Sequence, residues 1–177
     1  MTNTKLIILS DLHGIEKSNW IKNYVEILYK KFIIKCYDCR ELGEINLVED
    51  TEENIHKHFL NGGIEKAVEN LMLFEKKEVY ILAFSIGGII GWKAGLLGLK
   101  VKSMLAISST RLRYKIVKPN FKVELYYGEL DKFKPKNYWF ENFGIKEQLI
   151  ENEKHDFYKK AEITTIMTNL IFQKFIN

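Results

Sequence analysis

The sequence predicts an α/β domain built on a parallel sheet with helices on its faces, and three observations predict it. Short apolar runs rich in β-branched and aromatic residues alternate along the chain with longer segments whose apolar residues recur at helical spacing. The 177 residues are 46% hydrophobic and 13% aromatic, which is enough to bury a sizeable core in a domain of ordinary size. No internal repeat, linker or low-complexity tract divides the chain, so a single domain spanning residues 1–177 is expected.

In chain order, residues 5–10 read as the first strand. Residues 18–31 place Trp20, Ile21, Tyr24, Ile27 and Leu28 on one helical face, with Ser18 as the expected N-cap. A second strand is expected at 32–37. The next helix, 64–76, carries Ile64, Ala67, Val68, Leu71 and Phe74 at the same spacing behind an Asn61-Gly62-Gly63 breaker. Strands at 78–84, 101–107, 121–127 and 146–151 follow. A small-residue helix at 86–97 lies between the first two of these, and a closing helix runs from about 157 to 175. Glycines 87, 91 and 95, four apart on the small-residue helix, suit close packing against a sheet better than the helix pairing such spacing serves in membranes.

Composition narrows the function classes. Lysine and arginine number 27 against 23 aspartates and glutamates, and the excess of +4 is local. Residues 111–140 carry +5 and the remaining chain −1, which argues against a generally basic nucleic-acid binder. Two cysteines and two prolines exclude a disulfide-stapled scaffold, collagen and low-complexity disorder. The apolar run at 6–9 is too short for a signal-peptide core, and the longest apolar stretch, 81–92, stops at Lys93, short of a membrane span. A cytoplasmic location without a membrane span is therefore expected.

The chemistry concentrates at Val79-Tyr80-Ile81-Leu82-Ala83-Phe84-Ser85-Ile86-Gly87-Gly88, a strand running directly into a glycine-rich helix start with serine at the junction. A nucleophile elbow needs this arrangement, because the serine sits on a strained turn and small residues two before and two after it relieve the crossing of strand and helix. Ala83 departs from the usual G-x-S-x-G, and a serine that merely caps a helix gives the same local pattern. Two more residues stand where a triad wants them. Asp131 follows the strand at 121–127 through Gly128-Glu129-Leu130, and His155, the one histidine beyond it, precedes the last helix.

With these stations the chain resembles the α/β-hydrolase superfamily, in particular its small members without a large lid. The resemblance rests on Ser10-Asp11-Leu12-His13-Gly14, Ala83-Phe84-Ser85-Ile86-Gly87, Tyr127-Gly128-Glu129-Leu130-Asp131 and Lys154-His155-Asp156-Phe157. It implies a three-layer fold with a mostly parallel six-stranded sheet in the order 2-1-3-4-5-6, lacking the two N-terminal strands of the full family. No cap domain interrupts the chain between the fourth and fifth strands, so an open site is expected. By the same resemblance Ser85 is the nucleophile, His155 the general base and acid, and Asp131 the carboxylate that orients it. The oxyanion hole would take the backbone N–H of Ile86 and one from the loop after the first strand. The His13-Gly14 pair points to Ile15 as that second donor, whereas counting back from Trp20 points to His13. His13 is the expected donor, with Leu12 its neighbouring alternative.

The activity so implied is hydrolysis of a carboxylic ester or thioester through an acyl-enzyme, with no metal or cofactor. A non-catalytic module binding a ligand or partner in the same cleft is the alternative. The basic block leaves the carboxyl edge of the sheet at Arg111, Arg113, Lys132 and Lys134, where a positive rim would steer an anionic acyl substrate or one carried on an acidic protein. A solvated face accounts for the same charges. Tyr114, Phe133, Tyr138, Trp139 and Phe140 interleave the block, as an acyl pocket or as core. His13 in its side chain, His56 and His58 read as rim or surface residues. Cys36 and Cys39 form a lone C-x-x-C without the second pair a zinc site needs and, ending a strand, without the helix start of a redox pair.

Overall fold

In the computed structural model, which describes residues 4–176, the six apolar runs pair side by side as strands of one sheet. They are β1 (Lys5–Leu9), β2 (Ile33–Tyr37), β3 (Val79–Phe84), β4 (Val101–Ile107), β5 (Lys122–Gly128) and β6 (Gln148–Ile150). Every pairing is parallel and the order is β2-β1-β3-β4-β5-β6. That is the implied order, and each strand lies within two residues of its expected bounds.

Strand pleating sorts the apolar residues between two cores. Ile7, Leu9, Ile81, Ala83, Met104 and Ala106 face one layer of helices: α2 (Cys39–Leu42), α4 (Ile64–Phe74), α5 (Ile86–Leu96) and α6 (Asn137–Phe143). Leu6, Ile8, Tyr80, Leu82, Leu105 and Ile107 face the other: α1 (Ile21–Leu28) and α7 (Ala161–Phe175). β3 is buried at all six positions and α5 at eight of eleven. The elements that meet at Ser85 are thus held from every side.

The structure departs from expectation at the helices. Ser18 is no N-cap: α1 begins at Ile21, and the Ser18 hydroxyl donates to Asp11 Oδ1 at 3.3 Å. The closing helix starts at Ala161, because a 3-10 turn (Phe157–Lys159) ends at Lys160 in extended conformation. α2, α6 and α3 (Glu52–His58) were not anticipated. α3 begins at Thr51, whose hydroxyl accepts the N–H of Asn54 at 3.2 Å, and it continues through a kinked π-turn (Phe59–Gly63) into α4. The expected breaker is that kink, where Gly62 adopts φ +109°. Between β4 and β5 there is one 3-10 turn (Leu112–Tyr114) and no inserted cap. Among the described residues no helix is long and apolar enough to cross a membrane.

Candidate active site

Ser85 joins β3 to α5 with φ +48° and ψ −114°, a conformation costly for any residue with a Cβ. The turn persists because both flanking elements are buried and because Ser85 N–H donates to Ile107 O at 3.0 Å. The small residue that matters is Gly87. A Cβ there would lie 2.7 Å from Ser10 O and 2.8 Å from Leu9 Cβ, so the close approach is to the end of β1 rather than to β3. Gly91 lies over Leu9, Ile81 and Met104 of the sheet, and Gly95 over Phe121.

Two further side chains converge on the serine. Ser85 Oγ is 3.0 Å from His155 Nε2, and His155 Nδ1 is 2.9 Å from Asp131 Oδ2. With Nδ1–H donating to the carboxylate, Nε2 is left to accept from the serine hydroxyl. The Asp131 side chain is fully buried, and its other oxygen accepts the N–H of Phe133 at 2.8 Å. The loops bearing Asp131 and His155 are tied together, with Leu130 N–H donating to Glu153 O at 2.8 Å and Asn152 N–H to Glu129 Oε2 at 3.0 Å. Phe133 presses edge-on against the imidazole, ring centroids 5.1 Å apart.

The N–H groups of Ile86 and Leu12 have no hydrogen-bond partner among the described residues. His13 differs: its N–H donates to Asp11 Oδ1 at 3.0 Å. The expected oxyanion donor, His13, thus has its amide engaged by a buried carboxylate in this structure. Ile15 N–H is likewise taken, by Asp38 Oδ2 at 2.5 Å. Leu12 is the residue of that loop that both lines the cleft with Ser85 and has an N–H without a partner among the described residues. Asp11 itself is buried and gathers, besides His13 N–H, the hydroxyls of Ser18 and of Tyr158 at 3.2 Å, with Lys159 Nζ 3.7 Å away. Burial and the Asp11 charge together push the Tyr158 phenol well above its ordinary range, so it stays a donor.

Two depressions meet at Ser85 and His155. One, of about 420 Å³, is lined by Leu12, Ile86, Thr110, Arg111, Arg113 and Phe133 together with Glu52, Glu53 and His56 of α3. The other, of about 240 Å³, runs toward Asp11, Tyr158 and Lys159. Of the four basic residues expected at the rim, Arg111 and Arg113 border the cleft. Lys132 is exposed beyond it, and Lys134 pairs with Glu147 at 3.3 Å. Of the aromatics, Phe133 lines the cleft and Tyr114 lies under the two arginines, while Trp139 and Phe140 belong to the core and Tyr138 is exposed. His56 was read as plain surface. It is exposed, yet it borders the cleft because α3 forms one wall, and the cap at Thr51 followed by Glu52 and Glu53 was the signal for that helix.

The two cysteines are free. Cys39 opens α2, contrary to the reading that the pair only ends a strand. Its thiol donates to Ser10 O at 3.1 Å, and burial pushes its pKa far up, the reverse of a redox cysteine. Among the described residues no three His, Cys, Asp or Glu side chains converge so as to hold a metal ion.

No protein-family model matches the chain. No curated protein matches it either. Solved structures do. A protein from Xanthomonas campestris pv. campestris grouped with the hydrolases of the alpha/beta superfamily superposes with a TM-score of 0.67 at 11% identity, over 97% of this chain and 99% of that one. A second Xanthomonas campestris protein, a member of the α/β serine hydrolases without lid, gives 0.63 at 12% identity over 98% and 84%. A dienelactone hydrolase-like promiscuous phosphotriesterase from metagenomic libraries gives 0.69 at 11% over 97% and 86%. At such identities the likeness is one of fold: this chain has the α/β-hydrolase fold.

Proposed function

We propose that the protein is a serine hydrolase that cleaves a carboxylic ester or thioester through an acyl-enzyme intermediate. The observation that carries the reading is the chain of contacts from Ser85 Oγ through His155 to a buried Asp131, at a cleft that Leu12 and Ile86 also line.

His155 Nε2 takes the Ser85 proton as Oγ bonds to the substrate carbonyl carbon. The carbonyl oxygen becomes an oxyanion between the N–H groups of Leu12 and Ile86, which donate to it without reorganising. Asp131 holds the imidazole in its tautomer and balances the imidazolium. Collapse of the intermediate breaks the bond to the alcohol or thiol, and the leaving group departs with the proton from Nε2. Water then attacks the acyl carbon and gives its proton to His155. The second collapse frees the carboxylic acid and returns the proton to Ser85 Oγ. The two depressions flanking Ser85 suit an acyl group on one side and a leaving group on the other.

A fluorophosphonate probe should label Ser85, with labelling abolished in Ser85→Ala and strongly reduced in His155→Ala. Turnover of short-chain p-nitrophenyl esters should fall about 10⁴-fold or more in either variant. Folded protein that neither labels nor turns over such esters would instead assign the cleft to ligand binding.

A further inference from the structure

Of the basic block, Arg111 and Arg113 are the cations that line the cleft holding Ser85 and His155. In a neighbouring depression the cations are neutralised: Arg40 pairs with Asp50 at 2.8 Å, and Lys17 pairs with the same carboxylate. Arg111 and Arg113 have no carboxylate within ion-pair distance among the described residues, and both are half-buried in the cleft that holds Ser85 and His155.

The local chain is built to keep them together. Arg111 adopts φ +66°, in the left-handed region that a bulky residue seldom enters. The following Leu112 is completely buried and anchors the 3-10 turn. Both guanidinium groups then lie over the one Tyr114 ring, at 4.9 and 4.6 Å from its centroid. Arg113 also donates to Phe133 O at 2.9 Å and lies 5.6 Å from the Phe133 ring, which itself packs on His155. One aromatic ring thus separates this guanidinium from the imidazole. Thr110 lines the same cleft, and its buried hydroxyl, like those of Ser108 and Ser109 before it, has no hydrogen-bond partner among the described residues. Two like charges held on one ring with an unused hydroxyl alongside are stabilised by an anion that bridges them, and the planar guanidinium fork matches a carboxylate.

We propose that Arg111, Arg113 and Thr110 form a carboxylate-binding subsite, and that the substrate is an ester or thioester whose acyl group ends in a free carboxylate. Glu52 and Glu53 also border the cleft and are exposed, yet neither forms an ion pair with the arginines, so the guanidinium groups stay available to a ligand carboxylate. Leu12, Ile86 and Phe133 supply apolar lining for the intervening carbons. The subsite replaces the lysines as the source of charge selectivity. The substrate class rests on the reading of Ser85 as nucleophile, whereas the anion site does not.

Monomethyl glutarate and methyl pentanoate have the same acyl length and differ in the terminal carboxylate. The native protein should favour the former in kcat/KM by at least tenfold. That ratio should fall at least tenfold in Arg111→Gln/Arg113→Gln, chiefly through KM, and recover in part in the Arg→Lys pair. It should also shrink as sodium chloride rises, a measurement that needs no variant. Calorimetry should detect monomethyl glutarate binding to the otherwise intact Ser85→Ala protein, and binding should disappear when the arginines are also replaced. A native ratio near one together with no such binding overturns the subsite while leaving the hydrolase reading intact. Arginine-dependent binding in a protein that turns over neither ester supports the subsite and overturns the hydrolase reading.

Discussion

At Asp11 a single buried carboxylate does more for the candidate site than its distance from Ser85 suggests. By accepting His13 N–H it ties down the turn after β1, and in that turn Leu12, which borders the cleft, keeps an N–H without a partner among the described residues. Asp11→Ala removes the acceptor for three donors and should cost about 2–3 kcal/mol of stability, measured by urea unfolding. If the carboxylate positions the oxyanion loop, kcat on a short ester should fall by about tenfold or more with KM little changed. Asp11→Asn, which keeps an acceptor for His13, should recover most of that loss. A purely structural role would lower stability in both variants and leave kcat per folded molecule untouched. The identity of the free amide was not legible from the sequence, since motif counting places it at 12, 13 or 15. The choice depends on which N–H meets Asp11 or Asp38, and that is a matter of loop geometry.

The strand-to-helix junction shows how an element's ends carry function. Gly87 faces backbone at Ser10 and the Cβ of Leu9, neither of which can yield, whereas Gly91 faces the flexible ends of Leu9 and Met104 at 3.3 Å. Gly87→Ala should therefore destabilise by about 1–3 kcal/mol and impair Ser85 reactivity. Gly91→Ala should be near neutral, its gain in helix propensity offsetting the contact. Comparing thermal unfolding and probe labelling of the two variants tests this. Strands and long helices were legible because burial on one or two faces writes a period into the sequence. α3 was not, since Ile55 is its only buried residue and Glu-Glu-Asn-Ile-His-Lys-His has no apolar stripe. Its signature lay in its capping, and missing it hid the cleft wall that carries Glu52, Glu53 and His56.

Across the whole molecule, burial decides which reactive groups stay silent. Burial pushes the Cys36 thiol up to about 11 and Cys39 further, so at pH 8 about one Cys36 in a thousand is thiolate. Both thiols should resist a disulfide-exchange reagent at neutral pH and react promptly in denaturant, with reactivity rising as pH approaches the Cys36 value. Fast native-state labelling at pH 7 would contradict this account. The sequence by itself determined the layer architecture, the strand bounds and the chain positions of Ser85, Asp131 and His155, because strand burial and strand-end punctuation are local properties that one chain displays. Only the tertiary structure decided which donors are spent, which cations are neutralised and what walls the cleft. Lys134 and Arg113 look alike in the sequence, yet one meets Glu147 and the other meets Tyr114 and Phe133 beside the imidazole. Pairing of charges and amides across the carboxyl edge depends on residues far apart in the chain, and folding alone brings them within hydrogen-bond distance.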